Sequence, residues 1–197
     1  MKTTAWLLNV AAFVVLAPSP APARVFEVTV NVADGCAVPA GVTNLALKTA
    51  TELFAASGVK LRVMTKKTLG ADDDAIWLRL MNRAPREVGK RVLGAAILDR
   101  QPRAALVFCD RVMEFAETSE SNRIGILLGY AIAHELGHLL RNEPGHSVTG
   151  VMRGHWKQPD IILMLQGAIA FSSEDRAQIQ ARLTAKEQTR RLAARAK

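Results

Sequence analysis

The stretch AIAHELGHLLRNEPGHSVTGVMRGHW, residues 131–156, contains all four histidines of the chain: His134, His138, His146 and His155. Upstream of it and into its first part, Ile124, Leu127, Leu128, Ala131 and Leu139 recur at helical spacing, with Ser119, Ser121 and Asn122 as candidate N-caps. The pattern predicts a long helix over 123–140. Asn142, Pro144 and Gly145 then end it, because asparagine and glycine accept the left-handed conformation and proline cannot continue a helix. His134 and His138 are four residues apart, so both imidazoles lie on one helix face and can converge on one cation. Glu135 points about 100° away around the axis, beside that cation rather than opposite it.

His134-Glu135-Leu136-Gly137-His138 is the HExxH arrangement of zinc-dependent peptidases. Zinc suits nitrogen ligands and activates water near neutral pH, and a neighbouring carboxylate can take up the proton. Two histidines do not complete such a site, which uses three protein ligands and keeps a fourth position open. His146, after the bend that ends the helix, is one candidate for the third. His155 is the alternative. Glu143 sits in the turn, and Glu174 or Asp175 would follow a plan in which a later helix supplies a carboxylate. Those last two also read as acidic charges favoured at a helix N-terminus.

This segment resembles the metzincin clan of zinc peptidases, whose extended motif is HExxHxxGxxH followed by a methionine in a tight turn beneath the metal. His146-Ser147 and then Met152 look like the third ligand and that methionine turn. In two respects the chain departs from the pattern: Arg141 stands where the clan has glycine, and His146 follows His138 by eight residues rather than six. Asn142 is expected to take over the left-handed position. The segment is also similar to a group of uncharacterised exported bacterial proteins with a HELGHLL…HS…M segment. The resemblance implies a secreted zinc-dependent endopeptidase with one Zn2+ held by His134, His138 and His146, Glu135 as general base, and a peptide or protein as substrate. The rival is a catalytically silent exported module that binds zinc or peptide, with His155 closing the site as a fourth ligand.

Working outward, VFEVTVNV (25–32), VKLRVM (59–64), AIWLRLM (75–81) and RAALVFCD (103–110) read as strands, and LALKTATELFAAS (45–57) as a helix. KKTLGADDD (66–74) reads as a loop and 85–94 as irregular. Short helices are expected near 112–117 and 160–165, and Ser172 to Asp175 cap a C-terminal helix. Strands precede helices, which predicts one α+β domain over 24–197, metzincin-like, with an N-terminal mixed sheet and a long active-site helix, rather than repeated βαβ units. The strand at 103–110 is the expected partner for an extended peptide.

The N-terminus, residues 1–23, reads as a signal peptide: Lys2, an apolar run at 5–17, then Pro18 to Pro22 and a small-residue cleavage site near Ala23. That apolar run has 13 residues, short of the roughly 20 a spanning helix needs. A secreted or periplasmic protein is expected, with no membrane attachment after cleavage. Losing Lys2 lowers the net charge from +8 to +7. The basic residues are dispersed, except on the C-terminal helix from Arg176 to Lys197, and read as a solvated face. Export argues against a nucleic-acid partner. Cys36 and Cys109 are expected either to pair, as two cysteines do in an oxidising compartment, or to stand as buried thiols. Cys36 also faintly resembles the propeptide cysteine that caps zinc in some metzincins.

Overall fold

The computed structural model describes residues 24–65 and 75–196. The signal-peptide reading of 1–23 and the loop reading of 66–74 lie outside these residues. Five strands form one sheet: β1 (Phe26–Gly35), β2 (Val59–Met64), β3 (Ile76–Met81), β4 (Gly94–Ile97) and β5 (Ala104–Phe108). Their order is β2-β1-β3-β5-β4. The pairings β1 with β2, β1 with β3 and β3 with β5 are parallel; only β4 with β5 is antiparallel. Among the described residues five helices accompany them: α1 (Ala40–Ala55), α2 (Cys109–Ala116), α3 (Ser121–Arg141), α4 (Gln158–Leu165) and α5 (Ser173–Arg195).

The result is a mixed α/β fold. Helices do dominate the second half, as expected, but β1-α1-β2 is a βαβ crossover that strand alternation alone did not indicate. Parallel sheets usually carry continuous apolar runs because both faces are covered. In β1, however, Phe26, Val28, Val30 and Val32 are buried while Glu27 is exposed and Thr29 and Asn31 are half-buried. One face is more heavily covered, so the strands alternate as antiparallel strands would.

Helices α1 and α3 pack on the sheet and on each other, and the core lies between them and the strands. Their crossing is close: a Cβ at Gly129 would stand 2.6 Å from Thr49 Cβ and 2.7 Å from the Ala46 carbonyl. From Leu127 to Arg141, α3 is buried at every position. Each fully buried leucine or isoleucine contributes roughly 1.5–3 kcal/mol, so this helix is the best-anchored element of the molecule. Its N-cap is Glu120, with no side-chain cap; the serines and Asn122 do not take that role. Asn142 ends it at φ 57°, ψ 44°, in the expected left-handed conformation.

The expectation for the strand at 103–110 is corrected, and of the two readings of the cysteines the paired one holds. The strand at 103–110 is internal, its edges occupied by β3 and β4, so it cannot accept a peptide strand. The free edge beside it belongs to β4, and residues 109–110 begin α2 instead. Cys36, after β1, and Cys109, at the start of α2, form a disulfide with Cα atoms 5.9 Å apart. Among the described residues no helix is long and apolar enough to cross a membrane.

Candidate metal centre

Helix α3 presents His134 and His138 one turn apart on a buried face. The Nδ1–H of His134 donates to the Val151 carbonyl at 2.8 Å, and that of His138 to the Glu143 carbonyl at 2.8 Å. Each bond fixes a ring and leaves an Nε2 lone pair pointing away from its carbonyl partner. The two Nε2 atoms face each other at 3.1 Å. Two lone pairs at that separation repel unless a cation lies between them. His146, carried round by the bend at 142–145, completes the group: one ligand atom from each imidazole lies within 4.8 Å of the others. The His146 ring centroid is 5.1 Å from that of His134 and 4.9 Å from that of His138.

Desolvation favours the neutral form of all three rings, His146 being the exposed member of the trio. It lowers the His134 pKa to about 3, outweighing the raising effect of the Val151 carbonyl, with the neighbouring imidazoles lowering it further. Burial likewise lowers His138 and His146. A neutral imidazole is the ligand form, so near pH 7 no proton need be displaced from the nitrogens that face the site. The three nitrogens, two with opposed lone pairs, suit a borderline ion such as zinc.

Glu135 is buried beside them, and burial raises its carboxyl pKa to about 8. Strand β4 passes directly over it. A Cβ at Gly94 would stand 2.5 Å from the Leu106 carbonyl, 2.6 Å from Glu135 Cγ and 2.8 Å from Oε1, so only glycine fits there. Both Glu135 and Gly94 line a cleft of about 920 Å³ that also exposes the three imidazoles. Phe115 and Trp156 form part of its apolar wall, and Arg153 lines it as well. Trp156 stands edge-on to His134 with centroids 5.5 Å apart.

Met152 is fully buried and packs against Gly137 of α3. A Cβ at Gly137 would meet its sulfur at 2.3 Å, so a glycine in the middle of HExxH makes room for it. Gly150, at φ 77°, turns the chain just before, in a conformation that L side chains rarely adopt. His155 is exposed and lies outside the imidazole trio, although it lines the same cleft. Glu143 contributes its carbonyl, not its carboxylate. Glu174 is exposed; Asp175 is fully buried but pairs with Arg141 at 2.7 Å. Tyr130 packs in the core and donates its hydroxyl to the Ile169 carbonyl. Cys36 is disulfide-bonded to Cys109 and not part of the imidazole cluster.

Sequence reasoning missed Gly94 and the role of Arg141. An isolated glycine beside an alanine pair carries no signal of the strand it begins, and an arginine at a helix end reads as surface.

The fold can be compared with solved structures. The chain is similar to archaemetzincin from Methanopyrus kandleri, with a TM-score of 0.52 and 15% sequence identity over 81% of this chain and 96% of that one. The fold is archaemetzincin-like. No protein-family model matches the sequence, and no curated protein matches it. Beside that likeness of fold, the three clustered imidazoles could hold a metal ion such as zinc.

Proposed function

We propose that the protein is a secreted zinc-dependent endopeptidase. The observation that carries the reading is the convergence of His134, His138 and His146 in an open cleft with a buried carboxylate, Glu135, next to them. A bound zinc ion would supply Lewis-acid activation of water and of the scissile carbonyl. His134 and His138 would hold it through their Nε2 atoms, oriented by the Val151 and Glu143 carbonyls. His146 is the third ligand.

Glu135 takes the proton of the attacking water and passes it to the leaving amine. Burial raises its affinity for a proton in the metal-free protein, and the charge of a bound cation would oppose that shift and favour the carboxylate a base requires. The extended substrate pairs its backbone with the free edge of β4, whose Gly94, Ala95 and Ala96 line the cleft and present little side-chain bulk. Met152 and its turn support the site from below as in metzincins. Export is supported by the leader-like residues 1–23 and by the Cys36–Cys109 disulfide, a bond suited to an oxidising compartment.

The test is Glu135→Gln in the mature protein, measured for zinc content and for peptide hydrolysis. The expected outcome is full zinc occupancy with hydrolysis reduced about 10²–10⁴-fold, the usual share of a general base. Cleavage at the wild-type rate would remove Glu135 from the mechanism. Wild-type protein that holds no zinc would overturn the reading altogether.

A further inference from the structure

His134 and His138 are oriented through their own rings, but His146 leaves the helix on a bend, and its position depends on how the backbone around it is held. Both neighbours of the residue are gripped, Gly145 by its backbone carbonyl and Ser147 by its hydroxyl. The Arg141 guanidinium donates to the Gly145 carbonyl through Nη2 and to Ser147 Oγ at 3.3 Å through Nη1. The same Nη1 donates to Asp175 Oδ1 at 2.7 Å. Ser147 Oγ donates to that oxygen at 2.6 Å. The other carboxylate oxygen accepts from Ser172 Oγ at 2.7 Å, so Asp175 is itself immobilised. The pair is withdrawn from water: the Arg141 side chain is 3% exposed and that of Asp175 0%.

The charges sit where helix ends favour them. Arg141 is the last residue of α3, at the negative end of its dipole, and Asp175 lies in the first turn of α5, at the positive end. The arrangement answers the departure noted in the sequence. Where the metzincin pattern has glycine, this chain has Arg141, whose guanidinium reaches the residues on both sides of His146.

We propose that Arg141 and Asp175 are positioning residues for the third metal-site imidazole, clamping Gly145 and Ser147 so that His146 is presented to His134 and His138. The inference rests on the reading of these three histidines as a metal site. The clamp acts through the Gly145 carbonyl on one side of His146 and the Ser147 hydroxyl on the other, and none of Arg141, Gly145, Ser147 and Asp175 lines the cleft. Its grip on Gly145 and Ser147 is therefore expected to act on zinc chiefly through the His146 imidazole, which separates it from a general contribution to folding; the Arg141 charge, which also reaches His134 and His138, is retained in Asp175→Asn.

The experiment is a double-mutant cycle on zinc affinity, measured by chelator competition on the mature chain: wild type, Asp175→Asn, His146→Ala and the double variant. Asp175→Asn is expected to weaken zinc binding roughly 10–100-fold, the effect typical of partners that orient a ligand. On the His146→Ala background the same change is expected to alter affinity by less than about twofold, within the additivity of independent sites. An equal loss on both backgrounds, or no loss in Asp175→Asn, overturns the proposal while leaving the metal site intact. Should Asp175→Asn not fold, because it leaves Arg141 buried without its counter-charge, Ser147→Ala takes its place and must show a several-fold loss that also vanishes without His146. A wild type that does not bind zinc refutes the metal-site reading, and this inference with it.

Discussion

At the scale of single residues, the site is built as much by what is missing as by what is present. Gly94 lets β4 cross Glu135 at a distance no side chain would allow, and Gly137 makes the same concession to Met152. Gly94→Ala therefore forces either the strand or the carboxylate to move. Overpacking of this kind costs about 1–3 kcal/mol, so a melting temperature lower by roughly 2–12 °C is expected for a chain of this size. Thermal unfolding measures it, and a melting point within about 1 °C of wild type would show that β4 does not lie against Glu135. The His-Glu-His trio needed no such context to be read. Residues four apart on a helix must share a face, so their roles were open to sequence reasoning before any contact was known.

Among the elements, α3 was the most legible and β4 the least. Helix α3 announces itself by apolar periodicity and stops at Asn142, whose left-handed backbone the structure bears out. Strand β4 is Gly94-Ala95-Ala96-Ile97, too short and too uniform to alternate, and becomes a strand only because β5 offers it an edge. The junction of α3 and α5 was equally hidden, since Arg141 and Asp175 are 34 residues apart. Burial pushes the Asp175 carboxyl up, but the hydrogen bonds from Ser147 and Ser172 and the Arg141 charge outweigh it and hold the pKa below the ordinary value of 3.8. A carboxyl with a lowered native pKa binds protons less than the unfolded chain does, so it stabilises above pH 3.8 and that stability is lost as pH falls through its native pKa. For metal-free protein, unfolding in urea between pH 5 and about pH 2 is expected to show this acid-side loss. In Asp175→Asn that portion of the loss disappears, and an unchanged acid limb would count against the pairing.

Across the whole molecule, two links set stability beyond the core. The Cys36–Cys109 disulfide spans 73 residues and ties the end of β1 to the start of α2. Chain-entropy reasoning assigns such a loop about 4 kcal/mol, or roughly 8–16 °C in melting temperature. The Cys36→Ser, Cys109→Ser double variant tests it, and melting as high as wild type would deny the bridge any role. Zinc should act as a second link between α3 and the bend after it. At a hundredfold excess over its dissociation constant it adds about 2.7 kcal/mol, seen as a higher melting point that His138→Ala abolishes.

What the sequence determined by itself was local: one long helix, its stop, two imidazoles and a carboxylate at fixed angles, and four of the five strands. All of these follow from periodicity and backbone chemistry within a few residues. Tertiary structure alone decided that the sheet is largely parallel, that β4 and not β5 holds the free edge, that Cys36 meets Cys109, and that Asp175 reaches back to Arg141 to hold the bend beneath His146. Those outcomes depend on contacts between segments far apart in the chain, and a one-sided sheet gives the same alternating pattern whichever way its strands run.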